Sequence, residues 1–332
     1  MVNSFSSGLR RVVVLGTGGT IAGRAASGGD NIGYTAGQVA VADLLGDGID
    51  APEGVVLEAE QVAQLDSKDM GFDVWLQLAQ RCAFWLSEAD VAGVVITHGT
   101  DTIEETAYFL QAVLALGKPV VLTCAMRPAS SLSPDGPQNV RDAIAVAATP
   151  GAQGVTVVCA GMVHGSLDVQ KVHTYRPDAF SSGDAGPIGY VEEGAVRLLR
   201  DWPRLPVSAA SKIPATKAGA AMRWPRVEIV TSHAGASGAI VDLLLQERAA
   251  GVAEPIRGLV LAATGNGTVH HVLEAAALRA QDAGVAVLRA TRCASGRILP
   301  KADERLRDAG ALTPVKARIA LMLELIETTG AA

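Results

Sequence analysis

The stretch Val94-Val95-Ile96-Thr97-His98-Gly99-Thr100-Asp101-Thr102 sets the fold class of this chain. An apolar strand empties there into small hydroxyls around one aspartate. Directly after it, Ile103, Ala107, Leu110 and Leu114 recur at helical spacing. Upstream, Val12-Val13-Val14-Leu15 ends the same way in Gly16-Thr17-Gly18-Gly19-Thr20-Ile21-Ala22-Gly23. Two apolar strands whose ends each present a threonine predict a crevice at the carboxyl edge of a parallel sheet, where open α/β sheets hold their ligands. The occupant should be small and polar, because hydroxyls, glycine amides and one carboxylate are poor partners for a large apolar molecule.

Working outward, strand signals at 12–15, 55–57, 91–97, 119–124 and 154–160 alternate with helical patterns at 70–87, 102–116 and 136–148. Glu104 and Glu105 fall in the first turn of the second helix, and Asp101 with Glu104 has the spacing of a capping box. After Gly161 the pattern changes to hairpin or edge strands at 163–169 and 190–199. A small, polar stretch then reads as a linker, followed by strands at 227–232, 256–263 and 285–290 with helices at 238–250 and 268–283. Thr313 caps a last helix with Pro314 in its first turn and Val315, Ile319, Met322 and Ile326 down one side. The expected fold is α/β. A larger N-terminal domain (1–205) has a mostly parallel sheet with flanking helices, a linker covers 206–222, and a smaller C-terminal α/β domain covers 223–332.

Composition narrows the function. Charged residues are 19% and aromatics 4% of the 332 residues, while 49% are hydrophobic, which suits tightly packed β/α layers. The net charge of -6 is spread without a basic stripe, so no nucleic-acid partner is expected. No run reads as a signal peptide or a bilayer span, which predicts no membrane partner and a cytoplasmic protein, or a periplasmic one if a leader was removed. Cys82, Cys124, Cys159 and Cys293 are far apart, with no zinc or redox spacing, and favour a reducing compartment.

Gly18-Gly19-Thr20-Ile21-Ala22-Gly23 departs from the dinucleotide fingerprint, so an NAD-dependent enzyme is a weak reading. Residues 24–34 read instead as a mobile polar loop, a lid carrying the Tyr34 hydroxyl at its far end. A threonine in a glycine turn ordinarily satisfies backbone groups, but here polar clusters also occur at Asp66-Ser67-Lys68-Asp69, Thr100-Asp101 and Lys171. A threonine needs a base to become a nucleophile, and a lysine in a confined site can serve. Thr100, Lys171 and Asp101 would form a proton-relay trio if the fold brings them together.

The segments Thr17–Gly23 and Ile96–Thr102, with Ala125-Met126-Arg127-Pro128, Asp135-Gly136-Pro137 and Gly186-Pro187-Ile188-Gly189-Tyr190, resemble the bacterial L-asparaginases and glutaminase-asparaginases over nearly the full length. The continuation from Ile103 to Leu110 is similar to the high-affinity, type II-like branch. The resemblance implies a threonine amidohydrolase that turns L-asparagine into L-aspartate and ammonia through an acyl-enzyme, without cofactor or metal. It implies Thr20 as nucleophile and Tyr34 as its partner, with Thr100, Asp101 and Lys171 as the second catalytic group. Gly19, Ser67, Gly99, Thr100 and Asp101 would bind substrate. It further implies a homotetramer, a dimer of dimers, in which Asn266 of the Asn266-Gly267-Thr268 segment helps complete a neighbouring pocket.

Two departures bear on the substrate. Lys68 stands where the family usually has an uncharged residue, and a cation pointing inward would oppose the substrate ammonium; Asp69 is placed to hold it outward. For the family's acidic residue, Asp303 is in register and Glu304 has the longer reach. The residues alone do not rank Thr20 over Thr100 as first nucleophile. The alternatives are a dual-specificity enzyme that also takes L-glutamine, and a non-catalytic amino-acid-binding regulator.

Overall fold

The computed structural model describes residues 9–46, 49–115, 117–204 and 223–329, with side chains through 326. These residues form two compact units, one on each side of residues 205–222. The expected linker, 206–222, lies outside the described residues. In the first unit β1 (Arg10–Gly18) leads to a hairpin, β2 (Arg24–Ala25) with β3 (Tyr34–Thr35), and a short helix α1 (Val41–Leu44). Next come β4 (Val55–Leu65), α2 (Phe72–Ser87), β5 (Val91–Thr97), α3 (Ile103–Val113), β6 (Pro119–Thr123), α4 (Gly136–Ala148) and β7 (Gly154–Cys159). The unit closes with β8 (Met162–Gly165), the pair β9 (Gln170–Lys171) and β10 (Phe180–Ser181), and the hairpin β11 (Gly189–Glu192) and β12 (Ala195–Leu198).

The large sheet has the order β12-β11-β8-β7-β6-β5-β1-β4, parallel from β7 to β4 and antiparallel from β7 to β12. The chain leaves β1 on one side for β4 and returns on the other for β5. The carboxyl ends of β1 and β5 therefore flank the topological switch point, the natural crevice of such a sheet. The inner parallel strands, β1, β5, β6 and β7, are apolar on both faces because both are covered. Val12, Val14, Val95, Val121 and Val158 share one core with Val140, Ala143 and Ile144 of α4. Alternate residues such as Val13, Leu15, Val94 and Ile96 are fully buried on the side where α2 and α3 pack. Each such side chain contributes roughly 1.5–3 kcal/mol.

Local differences from the sequence reading have clear causes. The capping box is not formed: Thr102 is the N-cap residue of α3, without a side-chain cap, because the Asp101 carboxylate is engaged by Lys171. The strand expected over 163–169 stops at Gly165, where the Gly165 carbonyl accepts from the amides of Asp168 (3.1 Å) and Val169 (2.9 Å) and turns the chain.

The second unit is a parallel sheet, β13-β14-β15-β16, formed by β13 (Arg226–Thr231), β14 (Ile256–Ala263), β15 (Ala286–Thr291) and β16 (Arg307–Asp308). Helices α5 (Ala239–Ala249) and α6 (His271–Asp282) bury Val241, Leu244, Leu273 and Ala276 with Leu259, Leu261 and Val287. Helix α7 (Pro314–Thr329) packs on β13, β14 and β15. Its Thr313 hydroxyl accepts from the Lys316 amide at 3.4 Å, and Ile319 and Met322 are buried. Helix α6 starts at His271, not at 268, because Thr264 and Thr268 close a turn through reciprocal backbone hydrogen bonds of 2.9 Å.

Candidate active site

The two threonine segments meet backbone to backbone. The Thr17 hydroxyl donates to the Thr97 carbonyl at 2.9 Å and ties the ends of β1 and β5 together. Gly19 has φ +80°, and a Cβ there would collide with the Gly99 backbone, so the close approach requires glycine. Thr20 opens a single 3-10 turn, is 7% exposed, and has Oγ1 2.6 Å from Tyr34 Oη. Tyr34 returns to Thr20 because Ala25 pairs with it across the β2–β3 hairpin, and Gly23 leaves the space occupied by the tyrosine ring. The Ala25 amide also donates to Ser130 Oγ at 2.8 Å. The segment read as a mobile loop is thus a paired hairpin at both ends. No helix follows the glycine turn to present its N-terminus, which removes the physical basis of a dinucleotide site.

The second threonine is held from another direction. Lys171 lies on β9, opposite Phe180 of β10, and its ammonium donates to Thr100 Oγ1 at 2.8 Å and to Asp101 Oδ1 at 2.7 Å. The three residues, 71 positions apart at the extremes, come together. Ser67 is buried; its Oγ accepts from the Asp101 amide at 3.2 Å, and its carbonyl accepts from Thr102 Oγ1 at 2.8 Å. A hydroxyl that accepts from an amide still has its own proton to donate. Gly99 sits against Ser67, so Gly19, Gly99 and Ser67 form one continuous wall. Lys68 is 61% exposed and pairs with Asp66 at 2.8 Å as well as with Asp69 at 3.1 Å, the nearer carboxylate being the one the sequence reading passed over.

Asn266, Asp303 and Glu304 belong to the second unit. Asn266 holds Leu299 with its whole amide, accepting from the Leu299 amide at 2.7 Å and donating to its carbonyl at 3.1 Å. Glu304 is paired with the buried Arg289 at 2.9 Å, and Arg289 also donates to the carbonyls of Gly267 and Leu306. Asp303 is exposed. Arg289 was missed by sequence reasoning, although a lone arginine inside the apolar strand 286–291 was its signal. Also missed was the buried run Trp75–Thr106–His98 behind Gly99. Cys124 and Cys159 lie side by side, Sγ to Sγ 3.9 Å, and their contact and burial push the Cys124 thiol well above its ordinary range, which leaves no thiolate for chemistry. Among the described residues, no group of His, Cys, Asp and Glu is arranged to hold a metal ion. Nor is any described helix long and apolar enough to cross a membrane.

The family profile described as Asparaginase, N-terminal, matches residues 11–204, and that of the Glutaminase/Asparaginase C-terminal domain matches residues 226–332. The chain is 36% identical to L-asparaginase 2 of Escherichia coli (strain K12), covering 96% of this chain and 90% of that protein. It is 34% identical to the glutaminase-asparaginase of Pseudomonas fluorescens biotype A, covering 96% and 87%. The crystal structure of the probable cytoplasmic L-asparaginase from Campylobacter jejuni superposes with a TM-score of 0.87 at 34% identity, covering 96% of each chain. With both profiles matched in order and the paired threonines at the switch point, the chain belongs to the asparaginase family.

Proposed function

We propose that the protein is an L-asparaginase that hydrolyses L-asparagine to L-aspartate and ammonia through an acyl-enzyme on Thr20. What supports this reading above all is the meeting of two threonine groups, Thr20–Tyr34 and Thr100–Lys171–Asp101, at the ends of adjacent strands. Thr20 Oγ attacks the side-chain carboxamide carbon while its proton passes toward Tyr34. The carbon–nitrogen bond breaks, ammonia leaves with the proton it needs, and an aspartyl ester remains. Water activated at the Thr100–Lys171–Asp101 group then attacks the ester, releasing aspartate and restoring Thr20. Gly19 and Gly99 let the substrate reach backbone amides, Ser67 donates to its α-carboxylate, and the Asp101 carboxylate receives its α-ammonium. Asp303 or Glu304, and Asn266 toward a neighbouring subunit's pocket, are the remaining candidate substrate contacts.

L-Glutamine is the competing substrate, since one extra methylene is worth only roughly 1–3 kcal/mol of discrimination in a pocket. Assembly as a homotetramer and a cytoplasmic location complete the proposal, as does the division into domains 1–205 and 223–332 joined by 206–222. Ammonia release from asparagine and from glutamine, with no added cofactor, tests it. Asparagine should be the better substrate. Equal or greater efficiency on glutamine overturns the ranking, and no release from either amide by folded protein overturns the enzyme reading.

A further inference from the structure

Behind Gly99, a chain of buried polar groups ends on the glycine wall of the site. Trp75 of α2 donates through Nε1 to Thr106 Oγ1 of α3 at 2.9 Å. Thr106 Oγ1 is 3.0 Å from His98 Nε2, and His98 Nδ1 is 2.7 Å from the carbonyl oxygen of Gly99. Trp75 is 4% exposed, and Thr106 and His98 are 0% exposed. The indole is stacked on Phe109 with centroids 4.9 Å apart and planes at 14°, which fixes the direction of its N–H.

The donors and acceptors allow one assignment for a neutral ring. The Gly99 carbonyl can only accept, so His98 Nδ1 must carry a proton, because a bare nitrogen would face the oxygen lone pair to lone pair. With that proton on Nδ1, Nε2 of a neutral ring can only accept, and the Thr106 hydroxyl supplies its single proton there. Thr106 Oγ1 in turn accepts from the indole, which can only donate. Burial pushes the imidazole down to about 4, so the neutral ring is the form present near neutral pH. A tethered carbonyl also fixes its peptide plane. The peptide N–H, that of Thr100, points opposite to the Gly99 carbonyl and so away from the buried ring.

We propose that Trp75, Thr106 and His98 are positioning residues: a relay that locks the Nδ1–H tautomer of His98 and thereby sets the Gly99–Thr100 peptide of the active site. The glycine wall explains why this peptide is worth fixing. Gly99 is the residue on which Gly19 and Ser67 both close, so its orientation is shared by the Thr20 turn, the Ser67 hydroxyl and Thr100. The kinetic consequence rests on the role proposed above for Thr100, whereas the tautomer does not.

Neutron diffraction of the full-length protein reads the tautomer directly, and it expects a deuteron on His98 Nδ1 with Nε2 bare. A deuteron on Nε2 alone, or on both nitrogens near neutral pH, overturns the relay whatever the enzyme hydrolyses. For the kinetic part, Thr106→Val keeps the volume and removes the donor, and kcat should fall about tenfold with KM within about twofold. Thr106→Ser restores the hydroxyl and should return kcat to within about twofold of the parent. Trp75→Phe keeps the stack on Phe109, removes only the first N–H, and should lower kcat about threefold; it decides the matter if Thr106→Val does not fold. Unchanged kcat in Trp75→Phe and Thr106→Val, or a Thr106→Ser variant as impaired as Thr106→Val, shows that packing and not the relay is what matters. A deuteron on Nδ1 with no asparaginase activity in the parent would leave the relay standing and overturn only the functional reading.

Discussion

Acidification to about pH 4.5 should remove several kcal/mol of stability, because two imidazoles are buried uncharged in the first unit. His98 is 0% and His164 1% exposed. Burial pushes each ring from its ordinary 6.5 down to about 4, with Arg200 adding to the effect at His164. Well above pH 6.5 both rings are neutral in the folded and the unfolded chain, and they contribute no slope. Below it the unfolded chain takes up a proton at each ring that the folded chain refuses, so stability falls with pH until the folded rings titrate. Between about pH 7 and about pH 4.5 the loss is about 2.4 kcal/mol per ring, or about 5 kcal/mol for the pair. A typical domain has about 5–15 kcal/mol in total, so the effect is large. Asp142 acts in the opposite sense, because burial raises its carboxyl and folded protein gains a proton first as the pH approaches 3.8. Urea unfolding followed by tryptophan fluorescence, at one protein concentration, measures the slope. It should approach about 2.7 kcal/mol per pH unit, and His164→Gln should halve it. Equal stability at both ends of the range, or an unchanged slope in His164→Gln, refutes the reasoning.

Lys171→Met should leave the unfolding temperature within a few degrees and lower kcat about a hundredfold or more, the scale of a lost proton-transfer group; near-parental turnover shows that Lys171 is not needed. Lys68→Gln should change KM for asparagine less than about threefold, since the ammonium is held outward by Asp66 and Asp69. A shift in the asparagine-to-glutamine preference beyond about tenfold, ~1.4 kcal/mol, contradicts that placement. Gly19→Ala, at φ +80° against Gly99, should both destabilise the fold and abolish turnover. A stable, active Gly19→Ala variant would show that the glycine wall is looser than described.

The apolar strands were legible where a polar motif bounded them: residues 91–97, 256–263 and the helix at 136–148 have the same limits in the structure. Strand β4 was read as three residues because it is an edge strand whose Glu58, Glu60, Gln61 and Gln64 hide its period. Candidate residues could be named from local chemistry, but no pattern along the chain reveals that Lys171 reaches Thr100 across 71 residues. The Asp101 side chain shows the reason. Its spacing suits a helix cap, and a lysine brought in by the tertiary fold outcompetes the helix for it. Thr106 was hidden for a related cause, since a buried polar side chain on an apolar helix face looks like filler until its partner, here His98 in the loop after β5, is in place.

The claim that Thr20 is the nucleophile is tested most directly by acid-quenching the enzyme during turnover of asparagine and mapping its peptides by mass spectrometry. An aspartyl ester should appear on the peptide carrying Thr20 and be absent from a folded Thr20→Ala variant that still binds aspartate. An ester on the peptide carrying Thr100, or undiminished turnover by Thr20→Ala, contradicts the account.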